Sequence, residues 1–547
     1  MKFIKSIFTF SIISLIFSAC SSKQQIDTLV FNATIYTIDS SFSTAEAMVI
    51  KDGKIVETGT SKELEAKYNA KEKINAEGKF IYPGFIDAHA HFIGYAESLQ
   101  RANLFGTKSW DEVVDIVKTF STQHKEGWLL GRGWDQNNWP TKDFASNEKL
   151  NELFPDQPVM LTRVDGHAVM VNNKALELAN IKAGNKMVGG DVVVKNGKLT
   201  GLLIDNAVDL VTAKIPETTL EQFQKNLLQA QQNCFAVGLT TIDDCGMNFK
   251  NVEKIKALQD AQKLKMRFYI MLSDEKENYD YADAKGKIKT DKINVRSFKV
   301  YGDGALGSRG ACLLNDYSDK PGYKGFLLSN PEHFDSVAQR LYNKGFQMCT
   351  HAIGDSGNRT ILNIYAKYLK GKNDLRWRIE HAQVVNENDF KKFADYSIIP
   401  SIQPTHATSD MYWAKDRLGA EREKGAYAYN KLLQQNGWLP LGTDFPVEDI
   451  STFKTFYAAT IRKDDKGWPE NGYQIENALS RKQALQGMTI WAAKANFEEK
   501  EKGSLEKGKF ADFIILDKDL MKTDEKELLN TKVISTFIDG EKVYPKK

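Results

Sequence analysis

Apolar residues along this chain fall into short blocks separated by amphipathic stretches. The blocks sit at Phe80–Phe92 (FIYPGFIDAHAHF), Val237–Asp244, Met266–Leu272, Arg296–Gly302, Phe346–His351, Arg376–His381, Ile398–Gln403 and Leu439–Asp444. Between them lie runs with helical periodicity, such as Glu221–Phe235, Asn251–Leu264, Glu332–Lys344 and Gly357–Leu369. Strand-like runs alternating with helical ones are the pattern of parallel βαβ units. Eight of them predict a (β/α)8 TIM-like barrel of class α/β over residues 80–499. One connection breaks the rhythm. Residues 93–233 are far too long for a loop between neighbouring elements, where about 4–6 residues is usual. They are expected to hold a subdomain inserted after the first barrel strand, roofing the face that carries a barrel's chemistry.

The two ends of the chain read differently. From Ile26 to Ile81 short alternating runs are broken by a turn at Asp52-Gly53, and Gly508–Asp517 and Val533–Tyr544 repeat the pattern with a turn at Asp539-Gly540. Residues 20–79 and 500–547 are expected to pair into one small β-sandwich domain. The first residues are a targeting segment: Lys2 and Lys5, an apolar core from Ile7 to Phe17, then Phe17-Ser18-Ala19-Cys20. This predicts a signal peptide over 1–19, with Cys20 lipidated as the mature N-terminus and Ser21–Gln25 as a polar tether. On that reading the protein is exported and anchored in the membrane of a bacterial cell envelope, facing the periplasm. The apolar run is short for a membrane span.

At 547 residues with a net charge of +3 the chain has no basic stripe, which argues against nucleic acid as a partner. Cys234, Cys245, Cys312 and Cys349 lie in or beside apolar runs without zinc-type spacing and read as small buried hydrophobes.

The chemistry lies where polar residues interrupt the apolar runs at the ends of the predicted strands. The first run carries His89 and His91, two apart, so that both side chains face one way. The fourth carries Lys299, with Tyr301 and Asp303 on the same face. His351 ends the fifth, His381 the sixth and Asp444 the eighth. As scattered buried polar groups these would be unfavourable; together they point to a metal centre. Gly302-Asp303-Gly304-Ala305-Leu306-Gly307 matches the spacing of a dinucleotide-binding loop, but no helix opens behind it. Its glycines are expected to let the backbone turn tightly beside Lys299.

With these motifs the chain resembles the amidohydrolase superfamily, in the branch that contains N-substituted formamide deformylases and related amide hydrolases. The segments that carry the resemblance are the H-x-H strand, KVYGDGALGSR, HAIGD, EHAQ, GTDFPVE and GSLEKGKFADFIILD. The resemblance implies two divalent metal ions, with zinc expected. His89, His91 and Asp444 would bind one, His351 and His381 the other, and an N6-carboxylated Lys299 would bridge them. Charge agrees on the lysine, since an ammonium beside a divalent cation is repelled and must lose its proton; a neutral lysine at a one-metal site is the alternative. The implied reaction is hydrolysis of carbon–nitrogen bonds other than peptide bonds, in a small-molecule amide of N-acyl or N-formyl type. A metal-activated hydroxide attacks, and Asp444 acts as general base and then acid. His167 in the roof, His406 beyond the seventh strand and Arg309 in GALGSRGA are candidate substrate-binding residues, and Trp134, Trp139 and Trp413 would suit an aromatic substrate. The same metal site could serve a dipeptidase, a deaminase or an esterase, and a catalytically silent binding lipoprotein is the reading from another class. A homodimer is compatible with all of these.

Overall fold

The computed structural model describes residues 23–546. The expected signal peptide and lipidated Cys20 lie outside them. Among the described residues no helix is long and apolar enough to cross a membrane.

Seven parallel strands form the barrel wall in chain order: Phe85–Ala90, Leu239–Met247, Arg267–Ser273, Ile293–Tyr301, Gln347–Ala352, Arg378–His381 and Ile399–Ser401. They are buried along nearly their whole length, as strands covered on both faces must be. The predicted eighth strand, Leu439–Asp444, is not a regular one. It closes the ring through a few bonds on either side: a parallel bridge between Ile402 and Leu441, and the N–H groups of Ala88 and Asp444 donating to the carbonyls of Leu441 and His89 at 3.1 and 2.8 Å. The cause is local. Pro440 has no N–H to donate, and Gly442 lies so close to the first strand that a Cβ would come within 2.6 Å of the His89 nitrogen. Asp444 then turns into the left-handed region at φ 65°.

The helices form where the periodicity places them, and their ends carry the expected signals. Thr219 caps Leu220–Ala236 by accepting from the Gln222 N–H. Pro331 opens Pro331–Lys344, and Gly345, left-handed at φ 68°, ends it.

The connection after the first strand holds a six-stranded sheet of its own. Its strands run between Ala102 and Asp205, and its two faces are packed by separate apolar clusters around Trp134, Trp139 and Leu161 and around Val169, Leu176 and Leu203. At the opposite end of the barrel, strands from both chain ends share one sheet: Phe80–Pro83 pairs with Thr34–Tyr36 on one side and Phe513–Leu516 on the other. The sheet built on Gln24–Phe31 shares an apolar cluster with it.

Arg267, at the start of the third barrel strand, ties that end sheet to the barrel. Its guanidinium is fully buried and meets Asp512 at 2.6 and 2.9 Å, with Asp539 as a further partner. Asp512→Ala would leave much of a buried cation uncompensated. It should lower the unfolding free energy by about 3 kcal/mol in a denaturant titration, and a change under 1 kcal/mol would show the tie to be dispensable.

Candidate metal centre

Parallel register brings the polar residues of separate strands to one level. Lys299 pairs with Cys349, Tyr301 with His351, and Ala352 with His381 across the fourth, fifth and sixth strands. Asp87 fixes the first strand to the closing segment: its carboxylate accepts from the Thr443 N–H and hydroxyl at 2.9 and 2.7 Å. This register sets His89 and His91 opposite Asp444.

The result is a cluster at the floor of a cavity of about 760 Å³ under the inserted sheet. Asp444 Oδ1 lies 3.2 Å from His91 Nε2 and 3.6 Å from His89 Nε2, yet accepts no hydrogen bond although it is buried. His381 lies between His89 and His351, with ring centroids 4.7 and 4.5 Å away and the rings tilted or edge-on to it, and its Nδ1 is buried without a partner. Lys299 Nζ, fully buried, sits 3.2 Å from His89 Nε2 and 4.9 Å from the centre of the Tyr301 ring. Thus all six expected ligand residues, from the first, fourth, fifth and sixth strands and the closing segment, converge on one floor. His381 (φ 73°) and Asp444 (φ 65°) hold left-handed backbone conformations that non-glycine residues avoid, a strain that collects at functional sites.

The protonation of the cluster fits a cation. Burial and the Lys299 charge pull His89 down to about 4, and burial with neighbouring positive groups drives His351 and His381 well below the ordinary histidine value. All three imidazoles are neutral, as metal ligands must be. Glu380 Oε2 takes the Nδ1 proton of His89 at 2.6 Å, which leaves Nε2 with its lone pair facing Asp444. Burial would raise the Asp444 carboxyl, but the surrounding histidines, with the His406 imidazolium donating to Oδ2, hold it well below the usual range, so it is ionised. Neutral ring nitrogens beside a carboxylate oxygen that accepts no hydrogen bond are the donor set of a divalent cation.

Lys299 differs from the expectation of a charge-free amine. Burial alone favours the neutral form, but the nearby Cys245, Tyr301, Glu380 and Asp444 outweigh it and raise its pKa. The argument for loss of its proton therefore applies only with a cation in place.

The other candidates separate. His406 lies between two carboxylates, Nε2 at 3.1 Å from Asp444 and Nδ1 at 3.1 Å from Glu448. Burial opposes its charge, but the two acids hold it as an imidazolium, a donor to Asp444. His167 lines the cavity from the roof, 5.1 Å from the His351 ring, and its Nδ1 donates to Asp205 at 2.5 Å. Arg309 does not line the cavity; it is bound to Asp319 on its own loop. Trp134 and Trp139 are core residues of the inserted sheet, whereas Trp413 lines the cavity. Asp303 accepts the N–H groups of Cys312, Ile353 and Gly354, with its Oδ1 3.8 Å from His351 Nε2. Of the glycines beside it, Gly304 is required by crowding and not by a turn: a Cβ there would lie 2.4 Å from Asp205.

Sequence reasoning missed Glu380 and Asp205, the carboxylates that fix the tautomers of His89 and His167. A signal for Glu380 existed, since an acid immediately before His381 in a fully buried strand needs a buried partner.

A sequence model described as the amidohydrolase family matches residues 72–544. The chain is 31% identical to the putative amidohydrolase YtcJ of Bacillus subtilis, over 94% of this chain and 98% of that one. It is 32% identical to Protein LONG AFTER FAR-RED 3 of Arabidopsis thaliana, over 95% and 92%. With the N-substituted formamide deformylase of Arthrobacter pascens the identity is 24%, over 94% and 98%. Among solved structures, an uncharacterized metal-dependent hydrolase from Pyrococcus horikoshii OT3 superposes with a TM-score of 0.74 at 27% identity, covering 91% of this chain and 99% of that one.

Proposed function

The chain belongs to the amidohydrolase family, and we propose that this metal-dependent hydrolase cleaves non-peptide carbon–nitrogen bonds in amides of N-acyl or N-formyl type. The observation that carries the proposal is Asp444 Oδ1, buried without a hydrogen bond opposite His89 and His91 on the cavity floor. His89, His91 and Asp444 would hold one divalent ion, and His351 and His381 a second. Lys299, carboxylated on Nζ, would supply an oxygen donor to each. Such ions polarise a carbonyl oxygen and make a water easier to deprotonate.

The chain's own residues do the rest. Asp444 accepts the proton of the attacking water at Oδ1 and returns it to the departing nitrogen. His406, donating from Nε2 to Oδ2, keeps the carboxylate oriented through both transfers. His167, whose charge burial opposes but Asp205 favours, would as an imidazolium donate from Nε2 to the carbonyl oxygen from the roof while its Nδ1 donates to Asp205. The inserted sheet covers the cavity and limits water. We further propose that Cys20 carries a lipid anchor that holds the protein to a bacterial membrane.

Chelation is the test. Metal-stripped protein should lose at least about 100-fold in turnover of N-formyl and N-acetyl amines, and regain it on addition of a divalent metal, most fully with bicarbonate present. Dipeptides and aryl esters in the same assay separate the neighbouring chemistries, and activity indifferent to chelation would overturn the proposal.

A further inference from the structure

The cations around the cavity are not equally satisfied. Arg101 meets Glu97, Arg163 is held between Asp135 and Asp165, and Lys454 lies against Asp449 and Asp465. Arg132, on the Leu129–Trp134 strand of the inserted sheet, lines the same cavity without one: among the described residues no carboxylate lies within ion-pair distance of it. Its single hydrogen bond runs from Nη2 to the Val164 carbonyl at 3.1 Å, and its Nε is buried with no acceptor. Gly166 leaves the guanidinium room, since even a Cβ there would stay 3.6 Å from both terminal nitrogens. Burial, with Arg101 nearby, draws its pKa down to about 10, whereas Asp165 and Asp444 act in the opposite sense.

A planar fork of N–H donors with no carboxylate against it, beside a cavity, is half of a bidentate pair. We propose that Arg132 binds a carboxylate of the substrate, so that the amide hydrolysed at the floor is an N-acylated amino-acid type and not a neutral amide. The inference rests on the hydrolase reading above and gives Arg132 the role the sequence suggested for Arg309. Tyr95, Phe105 and Trp413 line the same space and suit an aromatic side chain.

The probes are N-acetylphenylalanine and N-acetylphenethylamine, which differ only in the carboxylate. Their binding is measured by calorimetry to the full chain after chelation, which stops turnover, and their hydrolysis to the metal-loaded chain. The acid should bind roughly 10- to 100-fold more tightly than its neutral counterpart. In Arg132→Gln that preference should fall to within about 3-fold, and Arg132→Lys, which keeps the charge without the fork, should retain part of it. Equal binding of the two probes by the wild-type chain, or a preference that survives in Arg132→Gln, overturns the inference. Should Arg132→Gln not fold, an undiminished preference in Arg132→Lys does the same. An Arg132-dependent preference without hydrolysis of either probe would leave the carboxylate contact standing and count against the hydrolase reading.

Discussion

Asp444→Asn is expected to lower kcat by about 10³-fold, within the range that a positioned proton-transfer group contributes, while KM changes little. Asparagine keeps the shape of the side chain and one oxygen, but it cannot accept a proton from water and deliver it to an amine. The buried Oδ1 that faces His89 and His91 without a hydrogen bond is the atom at issue. The variant is informative because Asp444 sits in two arrangements at once. On one side it faces the histidines of the first strand, and on the other it receives a proton-bearing nitrogen from His406 at 3.1 Å. If the residue only held metal, metal content and activity would fall together. If it carries the proton, metal content measured by atomic emission should stay above about half of the wild-type value while turnover collapses. Retention of more than a tenth of wild-type turnover would remove Asp444 from the mechanism.

How much of this was legible in the sequence depends on the kind of contact involved. His89, His91, Lys299, His351, His381 and Asp444 each interrupt an apolar run, and a buried polar residue at a strand end is visible in one dimension. The closing segment misled because Leu439–Asp444 is as apolar as a strand, whereas the consequences of Pro440 and of Gly442 pressed on His89 appear only in the fold. Glu380 acts on His89 across 291 residues of chain, and nothing in either local sequence states the pairing. The arginines show the same limit from the other side. Arg309 stands beside the most recognisable motif, yet Asp319 neutralises it; Arg132 lies in the inserted sheet, where no motif marks it, and lines the cavity with no acid within ion-pair distance among the described residues. Residue type and spacing reveal who can act, but which charges cancel is a property of the folded chain.

Lys299→Met should abolish hydrolysis to a similar degree, about 10³-fold in kcat/KM or roughly 4 kcal/mol of transition-state stabilisation, and should also change the metal count. Methionine preserves most of the apolar stem in a site with no exposure, so packing is largely conserved. What disappears is the nitrogen 3.2 Å from His89 Nε2. An ammonium there is favoured by Cys245, Tyr301, Glu380 and Asp444 as long as no cation shares the cluster. Once one does, the same position calls for negative charge, which the proposed carboxylation on Nζ would provide. Metal bound per chain should therefore fall from two equivalents to one or none, read by atomic emission after equilibration with excess metal and bicarbonate. Lys299→Ala supplies the discriminating arm. It leaves room that a small carboxylate can enter, so acetate should restore part of the lost activity to Lys299→Ala but not to Lys299→Met, where the stem still fills the space. If Lys299→Met retained two metals and wild-type turnover, the bridge would be wrong; if wild type and Lys299→Met both bound a single metal with equal turnover, the one-metal alternative would stand; if an added amine rescued Lys299→Ala as well as acetate does, the lysine would act as a simple cation.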